Sequence, residues 1–242
     1  MEHNLQSMDS LLSRTTTKQM ETMDMDADFR LKCPFSMLIS GPSGSGKTTL
    51  VVQIIKQRKE VCNTEISKII YLYKEPQSIL TELSENDEDV ILTSNIEEAN
   101  DLIEPNCMLI VDDFLLDTIE NKDFSRQMTK FFLVGSHHRK INLIFLSQAL
   151  FSKNLRLISL NASYVVLLKS VRDKSLITHF GRQFCPGNSE YLLQAYNKAT
   201  EKLGGMLVFD FTFDTPDQLR VRNSLFIDEA FGICVQKPLC KD

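Results

Sequence analysis

Residues Gly41-Pro42-Ser43-Gly44-Ser45-Gly46-Lys47-Thr48 match G-x-x-x-x-G-K-[ST] at every position. The glycines let successive backbone N–H groups close around phosphate oxygens. A helix opening at the lysine adds its positive N-terminal end. Lys47 then reaches the β and γ phosphates, and the Thr48 hydroxyl ligates Mg²⁺. With Thr49 beside them, residues 41–49 form a binding set for a nucleoside triphosphate and its metal, ATP and Mg²⁺ in the simplest case.

A phosphate cradle alone does not specify hydrolysis. Asp112 and Asp113 follow the apolar run Met108-Leu109-Ile110-Val111. A carboxylate at the end of a buried strand is the Walker B type, which holds Mg²⁺ through water. The second carboxylate is placed to polarise the attacking water as general base. The alternative is that both belong to a solvated turn. Gln148 ends the run Ile141–Leu146 and suits a group that reads the γ-phosphate or orients water, or a simple polar strand terminator. A transition state with growing negative charge also wants an arginine, often from a neighbouring subunit. Candidates are Arg139, in the Ser136-His137-His138-Arg139-Lys140 turn, Arg172 and Arg182. Each reads equally well as a surface arginine. No carboxylate or cysteine is spaced to make a metal site of the His137-His138 pair.

These groups need elements to hold them. Phe35–Ile39, Lys68–Tyr73, Met108–Val111, Ile141–Leu146 and Tyr164–Leu168 are apolar runs that predict strands buried on both faces, as in a parallel sheet. Leu50, Val51, Ile54 and Ile55 recur at helical spacing within 48–59. Helices are also predicted over 125–134 and 189–202, covering both faces of the sheet. Two runs, 206–213 and 219–222, flank Asp214-Thr215-Pro216-Asp217 and predict an antiparallel C-terminal hairpin at the sheet edge. The class is α/β, with a mainly parallel central sheet. Residues 1–30 are polar and lack sustained periodicity, which predicts a flexible N-terminal arm ahead of one domain over 31–242.

Composition narrows the role. The net charge is −5, so the surface as a whole is no footprint for nucleic acid, and any DNA contact must be a local patch. The six cysteines form no C-x-x-C pair and read as reduced thiols. The N-terminus carries no signal-peptide pattern, and no run approaches the ~20 apolar residues of a membrane helix. A soluble intracellular protein, with no membrane partner, is expected. Asn121-Lys122-Asp123 misses the N-K-x-D guanine signature by one position. Leu203-Gly204-Gly205-Met206 lacks the L-S-G-G-Q string of transporters and follows Asp112 instead of preceding it.

Four segments taken together resemble the viral genome-packaging ATPases of the HerA/FtsK superfamily, including poxvirus-type, Polinton/Maverick and adintovirus-like members. They are residues 34–48, 109–114 (LIVDDF), 137–151 (HHRKINLIFLSQALF) and 167–187 (LLKSVRDKSLITHFGRQFCPG). The resemblance implies a P-loop NTPase sheet with an extra strand between the strands carrying Lys47 and Asp112. It implies an ATP-driven translocase moving double-stranded DNA into a viral capsid through a portal-like vertex. It also implies a homo-oligomeric ring, a hexamer or pentamer, with each ATP site at a subunit boundary. The host nucleus or a viral factory is the expected location, and association with the virion is left open.

By that pattern Lys47 and Thr48 bind nucleotide and metal, Asp112 is the Walker B acid and Gln148 the polar sensor. Arg139 is the first choice for the trans-acting arginine. Asp113 stands where many members have Glu. Lys122, Arg126, Lys130 and the 137–140 cluster are candidates for DNA phosphate contacts, or exposed helix charges. A cellular ATPase of helicase or DNA-repair type and a nucleotide-dependent scaffold are the competing readings.

Overall fold

Continuous apolar runs leave a strand no solvated face, so each must be covered on both sides. A computed structural model shows how; it describes residues 28–112, 114, 122–131, 139–148, 156–172, 177–178, 181–182, 189–216 and 219–226. The strands are β1 (Ser36–Ser40), β2 (Ile69–Tyr73), β3 (Val90–Thr93), β4 (Met108–Asp112), β5 (Asn142–Ser147), β6 (Tyr164–Leu168), β7 (Met206–Asp210) and β8 (Val221–Arg222). They form one sheet in the order β3-β2-β4-β5-β1-β6-β7-β8. Every pairing from β3 across to β6 is parallel, and β7 and β8 are antiparallel. β5 lies between β1 and β4, so the expected extra strand is present.

The described helices are α1 (Lys47–Lys56), α2 (Arg58–Val61), α3 (Ser78–Asn86), α4 (Ile96–Asp101), α5 (Lys122–Lys130), α6 (Arg156–Asn161) and α7 (Ser189–Ala199). The period-two alternation of the strands sorts the core into two layers. Met37, Ile39, Tyr71, Ile110, Ile144 and Val166 pack against Leu50, Val51, Ile54 and Ile55 of α1 and Leu80 and Leu83 of α3. Leu38, Leu72, Val111, Phe145 and Val165 pack on the other face against Phe124 and Met128 of α5 and Leu192 and Tyr196 of α7. This is an α/β sheet wrapped on both sides.

Three details differ from the sequence reading. α5 starts at Lys122, not Ser125, because Phe124 is drawn into the core, stacked on Phe114 with ring centroids 5.1 Å apart. The strand β3 is additional; it is four residues long and half-buried at the sheet edge. The C-terminal hairpin is uneven, because β7 ends at Asp210 and only Val221 and Arg222 pair with it. α4 has a side-chain cap at its N-terminus, with Asn95 Oδ1 accepting from the Glu97 amide at 2.8 Å.

Candidate functional site

Parallel strands end together, so their carboxyl ends define one edge of the sheet. Ser40 at the end of β1 is in register with Ser147 of β5 and Leu167 of β6. The phosphate loop leaves β1 at this edge, and its first amide, Gly41 N–H, donates to Ser147 O at 3.1 Å. Ser45 N–H turns back to Pro42 O at 3.2 Å. Gly44 and Gly46 have φ of 75° and 94°, the left-handed region that favours glycine. Gly41 is needed for space: a Cβ there would lie 2.5 Å from Ser45 Oγ and 2.9 Å from Leu168 Cβ.

Gly46 begins α1 without a side-chain cap, and the first turn holds no acidic residue. No acidic residue of α1 itself neutralises its positive end, which faces the loop. Lys47 folds back over the loop, its Nζ donating to Gly41 O at 2.8 Å and Pro42 O at 3.0 Å. Ser45 Oγ is buried and has no hydrogen-bond partner among the described residues. A buried hydroxyl without a partner inside a glycine cradle fits a phosphate-binding loop.

Asp112 closes the site from β4. It is only 5% exposed. Its Oδ2 accepts two hydroxyls, Thr48 Oγ1 at 3.3 Å and Tyr71 OH at 2.8 Å. Thr48 and Asp112 thus converge as hard oxygen donors, the set a Mg²⁺ ion prefers. Tyr71 is fully buried on β2, one strand away, and sequence reasoning missed it. Burial pushes the Tyr71 phenol well above its ordinary range, and the Asp112 charge adds to this. Tyr71 is therefore a fixed donor. The one sequence signal was a tyrosine in an otherwise aliphatic strand, which reads as an ordinary β-former.

Gln148 is exposed directly after Ser147, so it stands beside the start of the phosphate loop. Asp113 lies outside the described residues, as do His137 and His138 and the side chain of Lys122. Arg126 is exposed and lies 3.4 Å from Asp123, and Lys130 is exposed on the same helix.

Arg139 is not brought to this edge. It precedes β5, is exposed, and its Nη1 donates to Asn100 Oδ1 of α4 at 3.0 Å. The six residues of β5 separate it from Gln148 by roughly 20 Å, at about 3.3 Å per strand residue. Arg172 is exposed four positions beyond β6, on the side of the phosphate loop, and Arg182 is exposed in a helical turn.

No protein-family model matches this sequence, and no curated protein matches it. Among solved structures, the chain is similar to the cytoplasmic domain of the type VII secretion ATPase EccC from Thermomonospora curvata. The TM-score is 0.51 at 15% identity, covering 74% of this chain and 24% of that one. The chain thus spans about a quarter of the EccC chain. A second similarity is to the genome packaging NTPase B204 from Sulfolobus turreted icosahedral virus 2 in complex with AMPPCP. Its TM-score is 0.48 at 14% identity, covering 78% of this chain and 96% of that one. The EccC likeness concerns the fold, and with the sheet order above it identifies the chain as having a P-loop NTPase fold.

Proposed function

We propose that this chain is an ATP-hydrolysing subunit of a ring motor that drives double-stranded viral DNA into a capsid. One observation carries the enzymatic half: Thr48 and Asp112 meet at 3.3 Å under the phosphate loop, on the edge where Gln148 emerges. This is the juxtaposition hydrolysis requires, and Lys47 is already in the loop. The load and the assembly rest on the resemblance of residues 34–48, 109–114, 137–151 and 167–187 to packaging ATPases.

When bound, Mg²⁺ supplies positive charge to the phosphate oxygens. Lys47 exchanges the Gly41 and Pro42 carbonyls for phosphate oxygens. Thr48 and Asp112 would hold the cation, with Asp112 kept in place by the Tyr71 hydroxyl. Gln148 positions the attacking water. Asp113 accepts the proton from that water. The loop amides and α1 receive the anion without moving, which is preorganised electrostatic stabilisation.

The motor half of the reading needs a ring, hexameric or pentameric, in which a neighbour completes the site. Arg139 sits too far from its own Gln148 to act within one chain, so it serves only in trans, with Arg172 the alternative. Arg126, Lys130, Lys122 and the 137–140 segment supply sequence-independent DNA phosphate contacts. The capsid vertex is the docking partner, in the host nucleus or a viral factory. No helix among the described residues is long and apolar enough to cross a membrane.

The test is ATP turnover with and without duplex DNA, alongside a mass measurement of the assembly. Turnover stimulated by DNA in an oligomer is expected. A strictly monomeric protein whose turnover ignores DNA overturns the motor.

A further inference from the structure

The chain entering β1 and the chain leaving α2 run side by side. Leu31 N–H donates to Val61 O at 2.7 Å, and Asn63 N–H donates to Leu31 O at 3.0 Å. These bonds pair Leu31 with Cys62 as a parallel bridge. Two residues on, Cys33 N–H donates to Asn63 Oδ1 at 2.8 Å. Cys33 is thereby laid against residues 62–64. Its thiol donates to Leu31 O at 3.8 Å and lies beside the Cys62 side chain.

The two thiols differ in environment. Cys62 is 2% exposed. Cys33 is half-buried and forms part of the wall of a cleft of about 970 Å³, with Lys32, Pro34, Asn63, Asn161 and Thr215 among its neighbours. The cleft lies at the amino ends of β1 and β6, the edge opposite the phosphate loop. The hydrogen bond from Cys62 holds the Cys33 thiol below its ordinary range, aided by the Thr64 and Asn63 amides and opposed by burial. Donating that bond, together with burial, pushes the Cys62 thiol far up. One sulfur is half-buried at the cleft wall; the other is buried beside it.

We propose that Cys33 and Cys62 are an oxidant-sensing dithiol site, which takes hydrogen peroxide through the cleft and closes to a disulfide. Low-pKa accessible cysteines next to a resolving thiol are the ones peroxide selects. In the first step the Cys33 thiolate attacks one peroxide oxygen. The O–O bond breaks, hydroxide leaves with the electron pair, and Cys33 becomes a sulfenic acid. In the second step the Cys62 sulfur attacks the Cys33 sulfur, the S–O bond breaks, and water leaves with the Cys62 proton. Two thiols and one peroxide give one disulfide and two waters. The bond clasps both ends of the unit made of β1, the phosphate loop, α1 and α2.

The reduced full chain, treated with equimolar hydrogen peroxide and mapped by peptide mass, tests the site. Cys107 is an internal control, buried with its thiol pushed up by burial. A Cys33–Cys62 linked peptide two hydrogens lighter is expected, forming at least about tenfold faster than Cys107 is modified. In Cys62→Ser, Cys33 should stop as a sulfenic acid captured by dimedone. Cys33 reacting no faster than Cys107 overturns the proposal, as does its oxidation to sulfinic acid, or a link to another cysteine, in the unsubstituted chain. That measurement decides the matter even where Cys62→Ser fails to fold.

Discussion

The two edges of the sheet treat charge differently. At the amino edge, cations are held by carboxylates: Lys32 with Asp214 at 2.9 Å, Arg30 with Asp28 at 2.8 Å, and Arg222 with Asp210 at 3.3 Å. At the carboxyl edge, the hydrogen bonds between described residues include Lys47 donating to two carbonyls and Asp112 accepting from two hydroxyls. Carbonyl and hydroxyl partners carry no net charge, so phosphate oxygens and a cation can compete for them more readily than for a carboxylate paired with a guanidinium. The amino edge is built to stay as it is. The other is built to change partners when an anion and a cation arrive. Substitutions at the first should move stability, and substitutions at the second should move binding and turnover.

The largest expected effect breaks the fixed edge. Arg222 and Asp210 side chains are 3% and 5% exposed, and Arg222 also donates to Phe29 O. Arg222→Met leaves a buried carboxylate without its cation and should cost about 3–5 kcal/mol. Denaturant unfolding measures it, and turnover per folded molecule should hold. Next comes Lys47→Ala at the exchangeable edge. ATP turnover should fall by about 10²–10³-fold, the usual loss for one transition-state donor. Its unfolding free energy should stay within about 0.5 kcal/mol. If Lys47→Ala unfolds the chain, or Arg222→Met spares it, the contrast between the edges is wrong.

A third substitution sharpens the contrast, because it disturbs the exchangeable edge by volume instead of charge. Gly41→Ala pushes a methyl group against Ser45 Oγ and Leu168 Cβ, at 2.5 and 2.9 Å before relaxation. Leu168 cannot easily yield, since Tyr196 OH ties its carbonyl to α7 at 2.9 Å. Overpacking of this kind costs about 1–3 kcal/mol. Stability and nucleotide affinity should fall together here, whereas Lys47→Ala separates them. Calorimetric titration with an ATP analogue, beside a thermal melt, reads both.

What the sequence made legible was contiguous or periodic. The phosphate loop is eight adjacent residues, and the apolar runs declare buried strands without knowledge of their neighbours. Asp112 followed from its place at the end of such a run. What stayed hidden depends on pairing between distant segments. Tyr71 reaches Asp112 because β2 and β4 run parallel with Tyr71 opposite Ile110, a register no local pattern encodes. Cys33 and Cys62 meet through the bridge at Leu31, so their spacing in the chain carried no signal. β3 was missed because four residues between Glu88-Asp89 and Ser94 are too short to show alternation. Arg139 and Gln148 bracket one strand in the sequence, and the same strand holds them at opposite edges.

The smallest expected effect concerns Tyr71, which belongs to the core by burial and to the site by its hydroxyl. Tyr71→Phe keeps the ring and removes one donor from Asp112 Oδ2. Thr48 Oγ1 remains on that oxygen at 3.3 Å, so the carboxylate is not stranded. Stability should drop by about 1 kcal/mol, the net worth of one hydrogen bond. The more telling readout is metal dependence. With its stronger donor gone, Asp112 holds Thr48 more tightly and is itself less fixed, and both changes oppose capture of the cation. The Mg²⁺ concentration for half-maximal ATP-analogue binding should rise about fivefold, the equivalent of roughly 1 kcal/mol. Metal-free nucleotide binding should hold, because the loop and Lys47 are untouched. Lys47→Ala should weaken binding at every Mg²⁺ concentration instead. If Tyr71→Phe lowers stability and leaves the Mg²⁺ dependence in place, Tyr71 is only a core residue, and the exchangeable edge stops at Thr48 and Asp112.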